Sequence, residues 1–191
     1  MVKRFLPLVV AALIMGGCSF KSSNIEFGEP ISVYMGEKAY AKAYFEGVRD
    51  DRVDTKTIGV IRDGNELSAV ATSQNIPSWV GSALQKEMRA AGFTFVSKPE
   101  NADFIYSFAI TKLNVDYTKS DLTGKNMRLT MDINAKARRG AVTVTKNYKY
   151  DEQKWVKPIF ESEGIKKELE PFMRESVAAT VRGLVELSKS R

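Results

Sequence analysis

Residues 127–138 alternate strictly between apolar and polar side chains, and this stretch limits the fold more than any other part of the chain. The apolar positions are Met127, Leu129, Met131, Ile133, Ala135 and Ala137, and the polar ones are Arg128, Thr130, Asp132, Asn134, Lys136 and Arg138. Side chains of a strand point alternately to opposite faces, so one face belongs to a core and the other to water. Residues 125–138 therefore predict a strand of an antiparallel sheet with one covered face.

A second long strand is predicted over residues 103–117. Its apolar side chains alternate in one phase as far as Ile110 and in the opposite phase from Leu113. One extra residue in a strand shifts the phase in this way, so a bulge is expected near Thr111 and Lys112.

Two turns predict further strands. Residues 141–150 alternate again after the turn at Gly140. The Asp-Gly pair at residues 63–64 readily takes the positive φ angles of a tight turn. A hairpin is therefore expected in which residues 57–62 pair with residues 65–71.

Residues 76–91 have a helical period, because apolar side chains recur four residues apart at Ile76, Val80, Leu84 and Met88. Asn75 suits the position that caps the start of this helix. Gly92 suits the left-handed position just past its end. That ending predicts a contact between Met88 and Phe93.

A closing helix is expected over about residues 170–188, with Pro171 in its first turn. Ile165 and Leu169 suit an additional, earlier helical turn, but Pro171 would limit its continuity with the helix. Its apolar stripe is Met173, Val177, Thr180, Val181 and Leu184. The order of elements is strands, a helix, three antiparallel strands and a second helix. This order predicts an α+β domain, an antiparallel sheet with two helices packed on one face.

The first 18 residues have the order of an export signal that ends in a lipidated cysteine. Lys3 and Arg4 precede an apolar run over residues 5–15, and two glycines lead to Cys18. This order is typical of a secretory signal, and the run is too short for a bilayer-spanning helix of about 20 residues. Residues 15–18 resemble a lipobox. Residues 1–17 are therefore predicted to be removed, and Cys18 to carry the lipid.

Cys18 is the only cysteine, so it has no partner for an internal disulfide. Two or more acyl chains hold a protein stably on a membrane. Ser19 follows the cysteine in place of an aspartate, which favours the outer membrane over the inner one. Residues 18–38 are predicted to be a lipidated tether, flexible over its polar first part, and residues 39–191 a single periplasmic domain.

The charge of the chain does not indicate a nucleic-acid partner. The 191 residues carry 29 Lys and Arg against 23 Asp and Glu, a net charge of +6, but the two signs are interleaved. Lys136, Arg138 and Arg139 end a predicted strand, where such charges commonly form a solvated face that blunts an edge or a turn. The expected partners are the membrane, through Cys18, and another envelope protein. An anionic partner such as lipid headgroups or peptidoglycan stays open.

The residues that most enzymes use are missing. The sequence has no histidine, and its one cysteine is assigned to the lipid, so neither a Ser-His-Asp triad nor a thiol nucleophile is expected. One predicted loop carries three carboxylates with two arginines between them, namely Asp50, Asp51 and Asp54 with Arg49 and Arg52. A salt-bridged or solvated loop is expected there ahead of a metal site or an acid and base pair. The chain is predicted to be non-catalytic, without cofactor or metal.

The two tryptophans, Trp79 and Trp155, are large aromatic side chains that suit either packing or contact with a partner. Trp155 lies in a predicted loop with Ile159 and Phe160, and apolar residues in such a loop suit either a docking surface or the core. Trp155, Ile159 and Phe160 are therefore candidate partner-binding residues. Trp79 lies near the apolar face of the first helix, and packing is its expected role.

Several short motifs resemble those of the YajG-type lipoproteins of Gram-negative bacteria. They are the lipobox, VIRDGN at residues 60–65, LQKEMRAAGF at residues 84–93, the strand around TKNYKY at residues 145–150 and the terminal amphipathic helix. The resemblance is weakest before Ala41 and in the loop of residues 151–164. It implies an envelope lipoprotein and little about activity.

Two functions are compatible with such a domain. The first is an interaction or accessory module of the envelope, which binds through an exposed sheet edge or the loop of Trp155. The second is a carrier of a lipid or a peptidoglycan-derived ligand. A buried cavity would favour the carrier if it were lined by Phe104, Phe108, Met127, Met131 and Leu184. A filled core beside an exposed Trp155 would favour the module.

Overall fold

The computed structural model describes residues 23–119, 126–159 and 162–189. The predictions for Cys18 and Phe160 concern residues outside these ranges. The described strands are β1 Ser23–Asn24, β2 Lys42–Asp50, β3 Thr57–Asp63, β4 Glu66–Ala71, β5 Thr94–Phe95, β6 Phe104–Thr118, β7 Met127–Arg139 and β8 Val142–Lys154. The helices are α1 Ile76–Ala90 and α2 Ser162–Lys189, and a short 3-10 turn covers Pro99–Asn101.

All of these strands belong to one sheet, in which β6 is central. β7 pairs antiparallel with β6, and β8 pairs antiparallel with β7. Along the other side of β6, its first half pairs with β2 and its second half with β3, both in parallel. β5 extends β2, while β4 and then β1 extend β3. β2 and β3 therefore lie end to end along β6.

The predicted α+β class is confirmed, and so are the three antiparallel strands and the hairpin around residues 63–64. The register between β6 and β7 shifts between Ile110 and Lys112, where the bulge was expected. The sheet also contains parallel pairs, which make it mixed. Alternation does not reveal them, because parallel and antiparallel partners place side chains on the same two faces.

The core lies between one face of the sheet and the two helices. On β7, Met127 and Met131 are buried, and on α2, Val181 and Leu184 are fully buried. α1 packs against α2 and β2. The other face of β7 is polar, and Arg128 there pairs with an aspartate of β8. The predicted arrangement has both helices on one face. It follows from the alternation of β7, which makes only one face of the sheet apolar.

The two ends of α1 agree with their predicted caps. The side-chain oxygen of Asn75 accepts a hydrogen bond from Ser78 N at 2.8 Å. Gly92 has a φ of 89°, and Phe93 N donates to the carbonyl of Met88 at 3.0 Å. The predicted contact between Met88 and Phe93 is therefore a backbone hydrogen bond that closes the last turn.

Gly92→Val is expected to lower the free energy of unfolding by about 1 kcal/mol or more, because a β-branched residue is strained at positive φ. A Cβ at this position would lie 3.3 Å from the Cβ of Lys38. Gly92→Asn is the matched control, since asparagine adds the same Cβ but enters the left-handed region more readily. Urea unfolding compares the two variants, and an unchanged midpoint for Gly92→Val would contradict the assignment.

The closing helix is longer than predicted. It begins at Ser162, and the prediction that Pro171 lies in its first turn is wrong, because Pro171 lies inside it. A proline removes one helical hydrogen bond and crowds the preceding turn. Ile165 and Leu169 are fully buried, and burial of such side chains contributes about 1.5 to 3 kcal/mol each. This packing offsets the cost of the proline.

The described part of the predicted tether packs on the domain, so the prediction of flexibility is wrong from Ser23 onward. Ile25 and Phe27 are buried in the core, and the side chain of Gln74 bonds both the N–H and the carbonyl of Phe27. Further along, the buried carboxylate of Glu87 accepts from Val33 N at 2.7 Å. These partners are about 50 residues away in sequence, so the segment shows no local pattern.

Candidate functional site

The residues between β8 and α2 that the structure describes, 155–159, form what we call the Trp155 segment. Trp155 is 50% exposed, whereas Val156 is buried. Lys157 and Pro158 are exposed. Ile159 is half-buried and packs against the core. Trp155 is thus the large aromatic that the segment presents to solvent, and Val156 and Ile159 fasten it.

The backbone of the Trp155 segment is held at two points. The side chain of Asn126 donates to the carbonyl of Val156 at 2.9 Å and accepts from its N–H at 2.8 Å. The hydroxyl of Tyr117 accepts from Ile159 N at 2.8 Å. Asn126 is itself buried. Trp155 is therefore displayed from a backbone whose position the core fixes.

These residues meet because several strands stop at the same end of the sheet. Tyr117 of β6 pairs with Met127 of β7, and Met127 pairs with Lys154 of β8. Arg62, next to the last residue of β3, pairs with Thr118. We call this the turn end of the sheet. It brings Asn126, just before β7, beside Val156, just after β8.

The charges around the Trp155 segment are unevenly paired. Lys154 Nζ lies 2.7 Å from a carboxylate oxygen of Glu168 and 3.2 Å from one of Glu152. Burial lowers the pKa of Lys154, but the two carboxylates outweigh it and raise the pKa overall. Lys157 is exposed, and among the described residues it has no ion-pair partner. The segment thus offers an indole and an unpaired cation two residues apart.

Trp79 packs as predicted. It is 6% exposed, its ring lies 5.8 Å from that of Phe27, and its Nε1 donates to the carbonyl of Gly28 at 2.7 Å. A buried indole N–H needs such an acceptor. Trp79 therefore binds the N-terminal segment to α1 and is not a contact residue.

The charged loop after β2 is salt-bridged, as predicted. The guanidinium of Arg52 is buried and makes two hydrogen bonds to the carboxylate of Asp50, at 2.7 and 2.8 Å. Asp51 pairs with Arg49, and Asp54 accepts from two backbone N–H groups. The pKa of Asp50 is raised by burial but lowered more by Arg52. The three carboxylates therefore stabilise the loop and do not converge on one point.

A carrier would need a cavity between the helices and the sheet. The residues that would line one are buried members of a single packed cluster, namely Phe104, Phe108, Met127, Met131 and Leu184. A surface hollow of about 550 Å³ lies between β8 and α2. A second one, of about 450 Å³, lies on the polar face of the sheet. Charged side chains line both, including Arg182 in the first and Lys136 in the second.

Sequence reasoning did not identify Asn126 and Tyr117 as the residues that hold the Trp155 segment. Tyr117 had been assigned only to the alternation of its strand. Asn126 had been placed inside the predicted strand, although it precedes β7. The usable signal was the asparagine itself, since an amide side chain beside an apolar strand can satisfy both polar groups of one backbone residue.

Two solved structures share the fold at low sequence identity, and a third is only weakly similar. An uncharacterized protein aligns with a TM-score of 0.52 and 9% identity, over 86% of this chain and 99% of that chain. Protein XCC0632 from Xanthomonas campestris gives 0.50 and 9%, over 87% and 93%. Lipoprotein GNA1162 from Neisseria meningitidis gives 0.38 and 9%, over 76% and 99%. No curated protein shows significant similarity to the chain.

A family model described as "Uncharacterized lipoprotein" matches residues 47–180. The match runs from the second half of β2 into α2 and includes the whole Trp155 segment. Neither helix in the described ranges is long and apolar enough to cross a membrane. The resemblance drawn from the short motifs is confirmed. The chain belongs to this lipoprotein family, which includes YajG.

Proposed function

We propose that Cys18 anchors the chain to the outer membrane and that its domain faces the periplasm as a non-catalytic interaction or accessory module. Membership of a lipoprotein family supports the anchor, as does the signal-like start that ends in Cys18. Ser19 supports the outer membrane as the destination. In this proposal the domain acts by contact with another component of the envelope.

The observation that carries the interaction role is Trp155, half-exposed on a backbone fixed by Asn126 and Tyr117. A contact group that is already held in place loses little conformational freedom on binding, and tryptophan is enriched at binding hot spots. The burial of the candidate lining residues in one hydrophobic cluster disfavours the carrier, which needs room between helices and sheet.

The lack of histidine supports a non-catalytic role. The loop carboxylates that could form an acid and base pair instead form ion pairs with arginines or accept hydrogen bonds from backbone N–H groups. A general base must be within reach of a substrate proton, and these groups are committed to their own loop.

Cys18→Ala is expected to abolish labelling of the protein by radioactive palmitate in cells, because its thiol is the proposed acceptor of the acyl chains. The unmodified precursor or a released domain should accumulate in its place. Ser19→Ala is the matched control and should be labelled normally. Palmitate in the Cys18→Ala protein would refute the anchor.

The contact is tested by a photo-crosslinking amino acid at position 155 in the same cells. Adducts, with protein or lipid, are expected when Cys18 is intact and should disappear in the Cys18→Ala background. The same probe at Val142, which is also exposed, is the control. Equal adduct yields at positions 155 and 142 would argue against Trp155 as the contact residue.

A further inference from the structure

One row of cross-strand partners relates the first described residue to the Trp155 segment. The row is Ser23, Val70, Gly59, Val115, Leu129 and Glu152, on β1, β4, β3, β6, β7 and β8. Residues of a strand are about 3.3 Å apart along its length. Trp155 is three residues beyond Glu152, so along the direction of β8 it lies about 10 Å past this row towards the turn end.

The direction of β1 relates the anchor to the same end. β1 runs parallel to β4, and β4 starts at Glu66, beside the turn that follows β3. Ser23, the first described residue, is therefore the residue of β1 nearest the turn end. Cys18 precedes Ser23 by five residues, and five residues span at most about 18 Å. A lipid on Cys18 keeps Ser23 within about that distance of the membrane surface.

These two distances are compatible with a domain that stands with its turn end on the bilayer. Trp155 lies about 10 Å past the row that contains Ser23, and this is less than the distance of about 18 Å that the anchor allows. We propose that the Trp155 segment contacts the phospholipid surface that holds the anchor, with the indole of Trp155 at the level of the headgroups. This inference rests on the proposed lipidation of Cys18 and names the component that the segment contacts.

The chemistry of the segment suits this surface. An indole has an apolar body and a polar N–H, and tryptophan concentrates where lipid meets water. Lys157, exposed and unpaired among the described residues, adds a cation that attracts lipid phosphates. The anchor makes this second contact intramolecular, so a weak affinity is enough to keep it occupied.

The opposite end of the sheet supplies a control position. Val142 is 64% exposed at the start of β8, ten residues before Glu152. That separation is about 33 Å along the strand. An orientation that places Trp155 on the bilayer therefore carries Val142 away from it.

The test uses the lipidated full chain in vesicles of phosphatidylethanolamine and phosphatidylglycerol that include a lipid with a nitroxide on its headgroup. The chain has two tryptophans, and Trp79 is buried. The nitroxide should quench the wild-type emission. In Trp155→Phe the quenched fraction should fall at least about threefold, because the remaining indole is out of contact with lipid. The double variant Trp155→Phe with Val142→Trp should stay as weakly quenched as Trp155→Phe.

Quenching is measured on protein that floats with the vesicles. Flotation tests the anchor, and quenching of the floating protein tests the contact of Trp155 with lipid. A chain that does not float contradicts the anchor, and the contact falls with it. Floating protein that is quenched equally in wild type and Trp155→Phe overturns the contact but leaves the anchor intact. A protein adduct at position 155, together with such equal quenching, would assign the segment to a protein partner instead. Strong quenching of the Val142→Trp probe would overturn the orientation.

Discussion

Gly59→Ala is expected to destabilise the domain by about 3 kcal/mol or more, because an added methyl group would overlap the central strand. An ideal Cβ at this position lies 2.1 Å from the carbonyl oxygen of Val115 and 2.3 Å from its Cγ1. Gly59 pairs with Val115 on one side and Val70 on the other. Neither neighbour has room to move in a close-packed sheet, so the overlap must distort the backbone.

Gly47→Ala separates this overlap from the general cost of replacing a glycine. Gly47 also has a positive φ, 130° against 156°, but no atom lies within 4 Å of its added Cβ. Its substitution should cost about 1 kcal/mol. Urea unfolding of both variants gives the difference, and equal losses would show that Val115 does not constrain position 59.

Asn126→Ala is expected to lower the free energy of unfolding by about 2 to 4 kcal/mol. The side chain of Asn126 satisfies both backbone polar groups of Val156, and both residues are buried. Alanine removes two hydrogen bonds and leaves a buried donor and acceptor without partners. Chemical denaturation measures the loss, and amide hydrogen exchange at Val156 should accelerate in the variant.

Trp155→Ala is the contrasting variant. Truncation of a buried tryptophan typically costs about 3 to 5 kcal/mol, as expected for Trp79→Ala, but half of Trp155 is already in water. Its loss should be smaller than that of Asn126→Ala. A loss as large as that of Trp79→Ala would assign Trp155 to packing and remove the proposed contact residue.

Elements with a local cause were predictable from the sequence. The alternation of β7 places Met131 inside and Arg128 outside, as the structure does. The start and end of α1 depend on Asn75 and Gly92, whose partners lie within a few residues. In each case the responsible contact is short in sequence, so its pattern is visible in the printed chain.

Elements with distant partners were not predictable. Phe27 was assigned to a flexible tether because nothing nearby orders it, whereas Gln74 and Trp79 do. The candidate site shows the same division. Trp155 was identified by its side chain alone, but its fixed position depends on Asn126 and Tyr117, about 30 or more residues earlier in the chain.

The central place of β6 also affects how quickly the chain can fold. β2 and β3 join β6 in parallel, and their partner residues are more than 50 positions away. Contacts between residues so distant in sequence form slowly, because the long intervening loop must close first. A chain that emerges from its N-terminus cannot complete this half of the sheet until residues 104–118 have appeared. Such a delay favours the proposed export, because a chain passes through a secretion channel unfolded.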